Sequence, residues 1–297
     1  MKHTTKIIVG VVSLLVVGTL YVLLTNKEPV IEIVPETIVE PEVVPEIPTT
    51  THSVIGKSVQ GREIETYTIG TGDTDLLFVG GMHGGYEWNS ILLAYEMIDY
   101  FENNLSVIPD NVKVHIIPNL NPDGLFLATG LERRFEATDI SSNAMHTSGA
   151  GRFNANDVDL NRNFDCKWAP TSSWRGATVS AGTSAFSEPE AQALRDYVAT
   201  ISPEAVVFWH SQANNVYASE CENGVLPETL TLMNAYSVAG NYGAVPVFDA
   251  YPITGDAEGW LASIGIPAVT VELEGRTSIE WTRNLAGVNA VLNQYGK

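Results

Sequence analysis

A glycine-rich turn joins a predicted buried strand to a predicted helix. The strand is the apolar run Leu76–Val79, the turn has the sequence GGMHGGYEWN at positions 80–89, and the helix covers 91–98. A strand followed directly by a helix is typical of open α/β sheets, whose ligand-binding and active sites lie just beyond the carboxyl ends of the strands. His83 and Glu87 lie on this turn, and imidazole and carboxylate groups are both good zinc ligands. The turn therefore predicts a metal site, with two polar surface side chains as the alternative.

The chain from Thr51 onward predicts an α/β fold with a mixed, mostly parallel central sheet and helices on both faces. Strands are predicted by apolar or alternating runs at 62–69, 76–79, 112–117, 205–209 and 266–273. Asn121-Pro122-Asp123-Gly124 predicts a β-turn, because Pro is favoured at its second position and Gly at its fourth. Residues 125–187 are rich in Asn, Ser, Thr and Gly and predict a long functional loop.

The amino-terminal residues predict a membrane anchor. Residues 7–24 carry no charge and follow a short stub, 1–6, that contains two lysines. As a helix this run would span roughly 27 Å, close to the thickness of a bilayer's hydrocarbon core. The lysines place the stub in the cytoplasm and the rest outside. The alternative is a signal peptide that is cleaved, but no small-residue cleavage site follows the run.

Composition separates a linker from a folded domain. Residues 25–50 are rich in Pro and Glu and predict an extended spacer, which leaves 51–297 as the folded domain.

The net charge of −19 disfavours nucleic-acid binding. Cys166 and Cys221 are too few for a disulfide framework. They are either two buried thiols or one disulfide, and an extracellular location favours the disulfide. No oligomeric state follows from the sequence.

Further polar residues collect at strand ends and in the long loop. His210 ends the predicted strand at 205–209, and Glu272 lies late in the strand at 266–273. A carboxylate in such an apolar strand is costly to bury unless it is paired or used. The loop carries four more candidates, which are Arg152, Asp159, Asn161 and Arg162.

On these motifs the sequence resembles the zinc metallocarboxypeptidase family, whose fold is carboxypeptidase A-like and which includes bacterial γ-D-glutamyl-diaminopimelate peptidases. The resemblance covers about residues 52–297, and its motifs occur in the family's order. The motifs are HGGYEW, NPDG, DLNRNF, WHS, the segment Tyr251–Trp260 and TVEL.

The resemblance implies a role for each candidate. It implies a single zinc ion held by His83, Glu87 and His210, with Asp159 orienting the first histidine. It also implies hydrolysis of a peptide bond by zinc-bound water, with Glu272 as general base and Arg152 polarising the scissile carbonyl. The residues implied to bind substrate are Asn161 and Arg162, which grip the terminal carboxylate, and Tyr251, which covers the bound substrate.

Several alternatives remain open. Arg133 or Arg134 would replace Arg152, Glu274 would replace Glu272, and Tyr251 would be an ordinary surface aromatic. Three residues separate His83 from Glu87, where the family usually has two. Gly84-Gly85 can adopt backbone angles closed to other residues, so we expect Glu87 to reach the metal.

The segment that sets substrate choice in the family carries two acids here. Asp256 and Glu258 predict a preference for a basic group beside the scissile bond, and the alternative is that they face solvent.

The leading hypothesis is an extracytoplasmic, membrane-anchored zinc metallocarboxypeptidase that acts on a peptide. A peptidoglycan γ-D-glutamyl-diaminopimelate amidase acting on muropeptides shares this chemistry. The other hypotheses are a non-catalytic module that binds peptide or cell-wall termini, and a zinc deacylase of N-acyl amino acids.

Overall fold

A mixed β-sheet of eight strands organises the protein, for which a computed structural model describes residues 50–140 and 149–297. The strands are β1 Thr50–Lys57, β2 Glu63–Ile69, β3 Thr74–Val79, β4 Val112–Ile117, β5 Thr171–Trp174, β6 Ala177–Ser180, β7 Ala205–Ser211, β8 Asn215–Ala218, β9 Glu220–Cys221, β10 Gly224–Val225, β11 Gly243–Val245 and β12 Ala268–Leu273. The large sheet has the order β1-β2-β4-β3-β7-β12-β8-β11, while β5-β6 and β9-β10 form two small antiparallel pairs. Its four central strands, β4, β3, β7 and β12, are parallel. The sheet is therefore mixed and mostly parallel, as predicted.

Helices cover both faces of this sheet. They are α1 Trp88–Asn103, α2 Pro122–Thr129, α3 Pro189–Ile201, α4 Pro227–Gly240, α5 Ala257–Ser263 and α6 Trp281–Tyr295. Successive residues of a strand point to opposite faces. Leu76 and Phe78 of β3 accordingly join one apolar core with α1, α4 and α6, whereas Leu77 and Val79 join a second core with α3 and α5.

The parallel strands bring three polar segments to one edge of the sheet. β3 ends at Val79 and leads into the glycine turn, β7 ends with His210 and Ser211, and β12 ends with Glu272 and Leu273. In the pairing of β7 with β12, Glu272 lies opposite His210. The carboxyl ends of these strands thus position the candidate site.

The structure corrects the prediction of a β-turn at Asn121–Gly124. This segment begins helix α2, with Pro122 at its first position and Asn121 as its cap. The Asn121 side chain accepts a hydrogen bond of 2.9 Å from the Gly124 amide, which satisfies one of the free amides of the first helical turn. Asn and Pro favour turns and helix starts alike, and the buried Leu125 fixes the helix in the core.

The predicted long loop also contains regular structure. Besides α2 it holds the hairpin β5-β6 and a short 3₁₀ turn at Leu160–Arg162. The alternating run at 62–69 predicts an edge strand, and this is wrong, because β1 pairs with β2 and forms the edge of the sheet.

The predicted stub at 1–6, the anchor at 7–24 and nearly all of the linker at 25–50 lie outside the described residues. Within 50–140 and 149–297, no helix is long and apolar enough to cross a membrane. The first strand begins at Thr50, one residue before the predicted start of the domain at 51.

Candidate metal centre and active site

The glycine turn folds Glu87 back onto His83. Gly84 has a φ of +45°, and a Cβ atom there would lie only 2.7 Å from the carbonyl oxygen of Gly151. A side chain at this position would therefore be both strained and crowded. The following 3₁₀ turn, Gly84–Glu87, places Glu87 Oε1 3.0 Å from His83 Nδ1. The extra residue between the two candidate ligands is accommodated by this turn.

His210 completes a buried cluster of three metal-binding side chains. Its Nδ1 lies 3.0 Å from Glu87 Oε2 and 3.1 Å from His83 Nδ1. One ligand atom from each residue lies within 4.8 Å of the others, and all three side chains are buried. Two imidazole nitrogens this close repel each other unless a proton or a cation lies between them. Two histidines and one carboxylate match the ligands of catalytic zinc sites, so the residues present fit this metal.

The outer nitrogen of His83 faces a carboxylate that is itself held in place. His83 Nε2 lies 3.3 Å from Asp159 Oδ1. Arg152 donates to Asp159 Oδ2 from Nη2 at 2.8 Å and from Nε at 3.2 Å. Burial would raise the pKa of the Asp159 carboxyl, but the Arg152 charge and the contact with His83 hold this pKa well below its usual range. Asp159 therefore stays ionised and fixes the ring of His83.

His210 has a similar carboxylate behind it, and this is one of the two acids predicted to face the substrate. Glu258 Oε1 lies 3.6 Å from His210 Nε2 and accepts a hydrogen bond of 2.7 Å from Thr270 Oγ1. The residue is only 3% exposed. The structure thus places Glu258 behind a candidate zinc ligand and away from solvent.

Glu272 adjoins this cluster with a free carboxylate oxygen. Its Oε2 is buried and accepts no hydrogen bond from the described residues. Burial and the negative charge of Glu87 raise the pKa of Glu272 to about 7, against the opposing charges of His210 and Arg152. A carboxylate with such a pKa can take up and release a proton near neutral pH. The rival acid, Glu274, is exposed and lies 3.5 Å from the Arg283 guanidinium.

Arg162 is a buried arginine without an acidic partner among the described residues within ion-pair distance. Its Nε donates to Ser172 Oγ at 3.2 Å, and its Nη1 donates to the carbonyl of Asn161. The Asn161 side chain does not accompany the Arg162 guanidinium. Its Oδ1 instead accepts a hydrogen bond of 2.9 Å from the Ala257 amide. Asn161 thereby ties the loop to the start of α5.

The remaining predicted substrate residues, Asp256 and Tyr251, contact none of the three candidate ligands within hydrogen-bond distance in the described residues. Asp256 caps α5, and its Oδ2 accepts a hydrogen bond of 2.7 Å from Gly259. Burial and the charge of Glu258 raise the pKa of Asp256 to about 6. Tyr251 is 50% exposed, and its ring packs 4.8 Å from that of Phe248.

The structure separates Arg152 from its two rivals. Arg133 pairs with Glu63 and Arg134 pairs with Asp99, both in exposed ion pairs. Arg152, in contrast, is buried, and its Nη1 lies 3.7 Å from Glu87 Oε1.

The sequence reasoning missed an aromatic and cationic wall beside the site. It consists of Tyr86, Trp174 and Arg276. The Arg276 guanidinium lies 4.2 Å from the centre of the Tyr86 ring, and the Tyr86 and Trp174 rings are 5.5 Å apart. Arg276 follows Glu272 by four residues, a proximity that offered a signal, whereas nothing marked Trp174 within its polar loop.

The disulfide prediction is confirmed. Cys166 is bonded to Cys221, at a sequence separation of 55 and with 6.0 Å between their Cα atoms. The bond joins the loop that carries Asp159 and Arg162 to the segment that follows β7.

Comparisons with known proteins agree with this geometry. The zinc carboxypeptidase family model matches residues 42–279. Mouse carboxypeptidase D is 30% identical over 129 residues, which are 39% of this chain and 8% of that protein. Gamma-D-glutamyl-L-diamino acid endopeptidase 1 of Lysinibacillus sphaericus is 26% identical over 245 residues, which are 75% of this chain and 60% of that protein.

The fold recurs in the structure of bovine thrombin-activatable fibrinolysis inhibitor in complex with tick carboxypeptidase inhibitor. The TM-score is 0.65 at 17% identity, over 83% of this chain and 90% of that chain. The match of the family model spans most of the sequence and includes His83, Glu87, His210 and Glu272. The chain belongs to the zinc carboxypeptidase family and is a zinc metallopeptidase.

Proposed function

We propose that this peptidase is a metallocarboxypeptidase that hydrolyses a peptide bond next to a residue with a free carboxylate, with Glu272 as general base. One observation carries the proposal. Glu272, whose buried Oε2 has no hydrogen-bond partner among the described residues, adjoins the His83–Glu87–His210 cluster. Arg162, which has no acidic partner within the described residues, supplies the group that would hold the substrate's carboxylate.

The side chains divide the reaction among them. His83, Glu87 and His210 would hold the zinc ion, which when bound acts as a Lewis acid toward water and the scissile carbonyl. Glu272 accepts a proton from the attacking water and delivers it to the leaving amine. Arg152 uses Nε and Nη2 on Asp159, which leaves Nη1 to donate to the developing oxyanion.

Arg162 would fix the terminal carboxylate. A guanidinium binds a carboxylate through two parallel hydrogen bonds, and an ammonium group lacks that geometry. Asn161 supports this arrangement indirectly, since its side chain is used on the Ala257 amide. Tyr251 is exposed and would close over the substrate only by moving from its present place beside Phe248.

The test combines metal analysis with a substrate panel. We expect about one zinc per chain and cleavage of peptides with a free carboxyl terminus, but not of the same peptides with a carboxyl-terminal amide. A chelator should abolish the activity, and added zinc should restore it. The Glu272→Gln variant should keep its zinc but lose activity, while Glu274→Gln serves as the matched control. A zinc-loaded protein that cleaves only N-acyl amino acids, or cleaves nothing, would refute the proposal.

A preference for a basic group beside the scissile bond is a further part of the proposal. It rests on Asp256, because Glu258 is turned toward His210. The expected result is a higher kcat/KM for carboxyl-terminal Lys or Arg than for Leu, and a loss of this difference in Asp256→Asn. Equal rates for Lys and Leu in the wild type would contradict it.

A γ-D-glutamyl-diamino acid substrate is the second candidate. It is favoured by the similarity to the Lysinibacillus endopeptidase, which extends over more of this chain than the match to carboxypeptidase D. The panel therefore includes a γ-D-glutamyl-diaminopimelate peptide beside the carboxyl-terminal Lys and Arg peptides.

The proposed location is the outer side of the cell membrane, with residues 7–24 as the anchor. The uncharged run and the disulfide support it, because disulfides persist in oxidising compartments. The full chain should fractionate with membranes, and a chain lacking residues 1–27 should not. A mature protein whose mass lacks the first residues would instead indicate a cleaved signal peptide.

A further inference from the structure

Three side chains next to the metal cluster each carry a buried polar atom without a hydrogen-bond partner among the described residues. These atoms are Glu272 Oε2, Tyr86 Oη and Arg276 Nε. Arg276 lies over the Tyr86 ring at 4.2 Å, and Tyr86 is 1% exposed and directly precedes Glu87. Unpaired buried polar groups are costly, so a group of three indicates a place where something else binds.

Glu272 already has a role as the base, but Arg276 has none. Arg276 forms no ion pair within 4.0 Å with any acid in the described residues, although the chain carries a net charge of −19. Most other arginines of the described residues pair with carboxylates, and these are Arg62, Arg133, Arg134, Arg152, Arg195 and Arg283. The Arg276 charge lowers the pKa of Glu272, but from beyond ion-pair distance. A partly buried guanidinium with no carboxylate within 4.0 Å in so acidic a protein is suited to an anion from outside.

Arg276 is the second such guanidinium at this site. Arg162 contacts Ser172 and the Asn161 carbonyl, whereas Arg276 contacts Tyr86. Since the two arginines contact different residues, a ligand that satisfies both carries two carboxylates. The proposed function assigns one of them, on the leaving residue, to Arg162. The other is assigned to the acyl side of the scissile bond. A second carboxylate on the leaving residue, such as that of diaminopimelate, is the alternative, and substrates that differ only on the acyl side distinguish the two.

We propose that Arg276, supported by the ring and hydroxyl of Tyr86, binds the carboxylate of a glutamyl residue on the acyl side of the scissile bond. This inference rests on the proposed function. A glutamyl residue linked through its γ-carboxyl keeps a free α-carboxylate, and one linked through its α-carboxyl keeps a free side-chain carboxylate. The two lie the same number of bonds from the scissile carbonyl, so Arg276 would serve either linkage.

Matched substrates isolate this contact. The first is an L-Ala-γ-D-Glu-diaminopimelate peptide, and the second is the same peptide with the free glutamyl carboxylate converted to a carboxamide. A third, α-linked glutamyl peptide distinguishes the two linkages. The wild type should show a KM about 10- to 100-fold lower for the carboxylate than for the carboxamide, as expected for charge-assisted hydrogen bonds. If the KM for the α-linked peptide is near that of the carboxylate substrate, Arg276 binds the free carboxylate in both linkages. If that KM is near the value for the carboxamide, Arg276 binds it in the γ-linkage alone.

Variants of Arg276 and Tyr86 test whether these residues cause the preference for the glutamyl carboxylate over the carboxamide. Arg276→Gln should raise the KM for the carboxylate substrate to that of the carboxamide, with unchanged zinc content and little effect on the carboxamide itself. Arg276→Lys keeps the charge and should retain part of the preference, and Tyr86→Phe should weaken it less than Arg276→Gln. Arg195→Gln, an exposed arginine on α3, is the control and should match the wild type.

The two ways of failing are distinct. Cleavage of both matched substrates with equal KM, or equal losses on both in Arg276→Gln, would overturn the role of Arg276 and leave the proposed function intact. A wild type that holds stoichiometric zinc but cleaves none of the peptides would overturn the proposed function, and this inference with it.

Discussion

Removing the disulfide should cost this protein a large part of its stability. The bond closes a loop of 55 residues that contains the β5-β6 hairpin, α3 and the strand with His210. In the chain-entropy treatment, a cross-link over such a loop stabilises the folded state by about 4 kcal/mol, because the unfolded chain is denied its open conformations. That is a substantial fraction of the roughly 5–15 kcal/mol by which typical domains are stable.

Urea denaturation of metal-free protein measures this effect. The comparison is between oxidised wild type and a Cys166→Ala, Cys221→Ala double variant, followed by circular dichroism. The free energy of unfolding should fall by about 4 kcal/mol, and the dependence on urea should steepen because the unfolded chain expands. Reduced wild type is the control, since it loses the bond but keeps both buried sulfur atoms. A loss below about 1 kcal/mol in both forms would refute the loop-closure reasoning.

Three further predictions concern the site. Glu272→Gln should lower kcat by about 10²- to 10⁴-fold without loss of zinc, as measured by steady-state kinetics and metal analysis. Asp159→Asn should weaken zinc binding by about 10- to 100-fold in competition with a chelator, because His83 loses the carboxylate that orients it; unchanged affinity would contradict that role. In metal-free protein the pKa of Glu272 is raised from 4.5 to about 7, so its contribution to stability is full below pH 4.5 and is lost as the pH rises through 7. Metal-free Glu272→Gln should therefore gain stability relative to wild type between pH 5 and pH 8, by ~1–3 kcal/mol in denaturation experiments; a constant difference would exclude this titration.

Local sequence signals were enough to predict the elements that carry the metal cluster. The strand Val112–Ile117 was predicted with its actual bounds, and the apolar run before the glycine turn is the core of β3. His83 and His210 could be recognised because His83 lies on the turn after an apolar strand and His210 ends one, which are properties of a few neighbouring residues.

Contacts between distant segments were beyond the sequence. The sequence marks Glu258 as one of two acids in the segment that sets substrate choice, but the direction of its side chain depends on Thr270 of β12, which holds it against His210. The family resemblance favours Arg152 over Arg133 and Arg134, but the three residues have the same chemistry, and only their partners in space show which one lies at the site. Asn121 and Pro122 favour a turn and a helix start alike, and core packing decided between them.

The start of α5 limits how this enzyme can be redesigned. The Ala257 amide donates a hydrogen bond to Asn161, and the Glu258 carboxylate lies 3.6 Å from His210 Nε2. These two contacts connect the segment that sets substrate choice in the family to the loop with Asn161 and to a candidate zinc ligand. A transplanted segment from another peptidase that ends at Thr254 would change the pocket and keep those contacts. A transplanted segment that also replaces Glu258 would alter substrate preference and zinc retention together. In a library of such variants, the two effects could not be separated by activity alone.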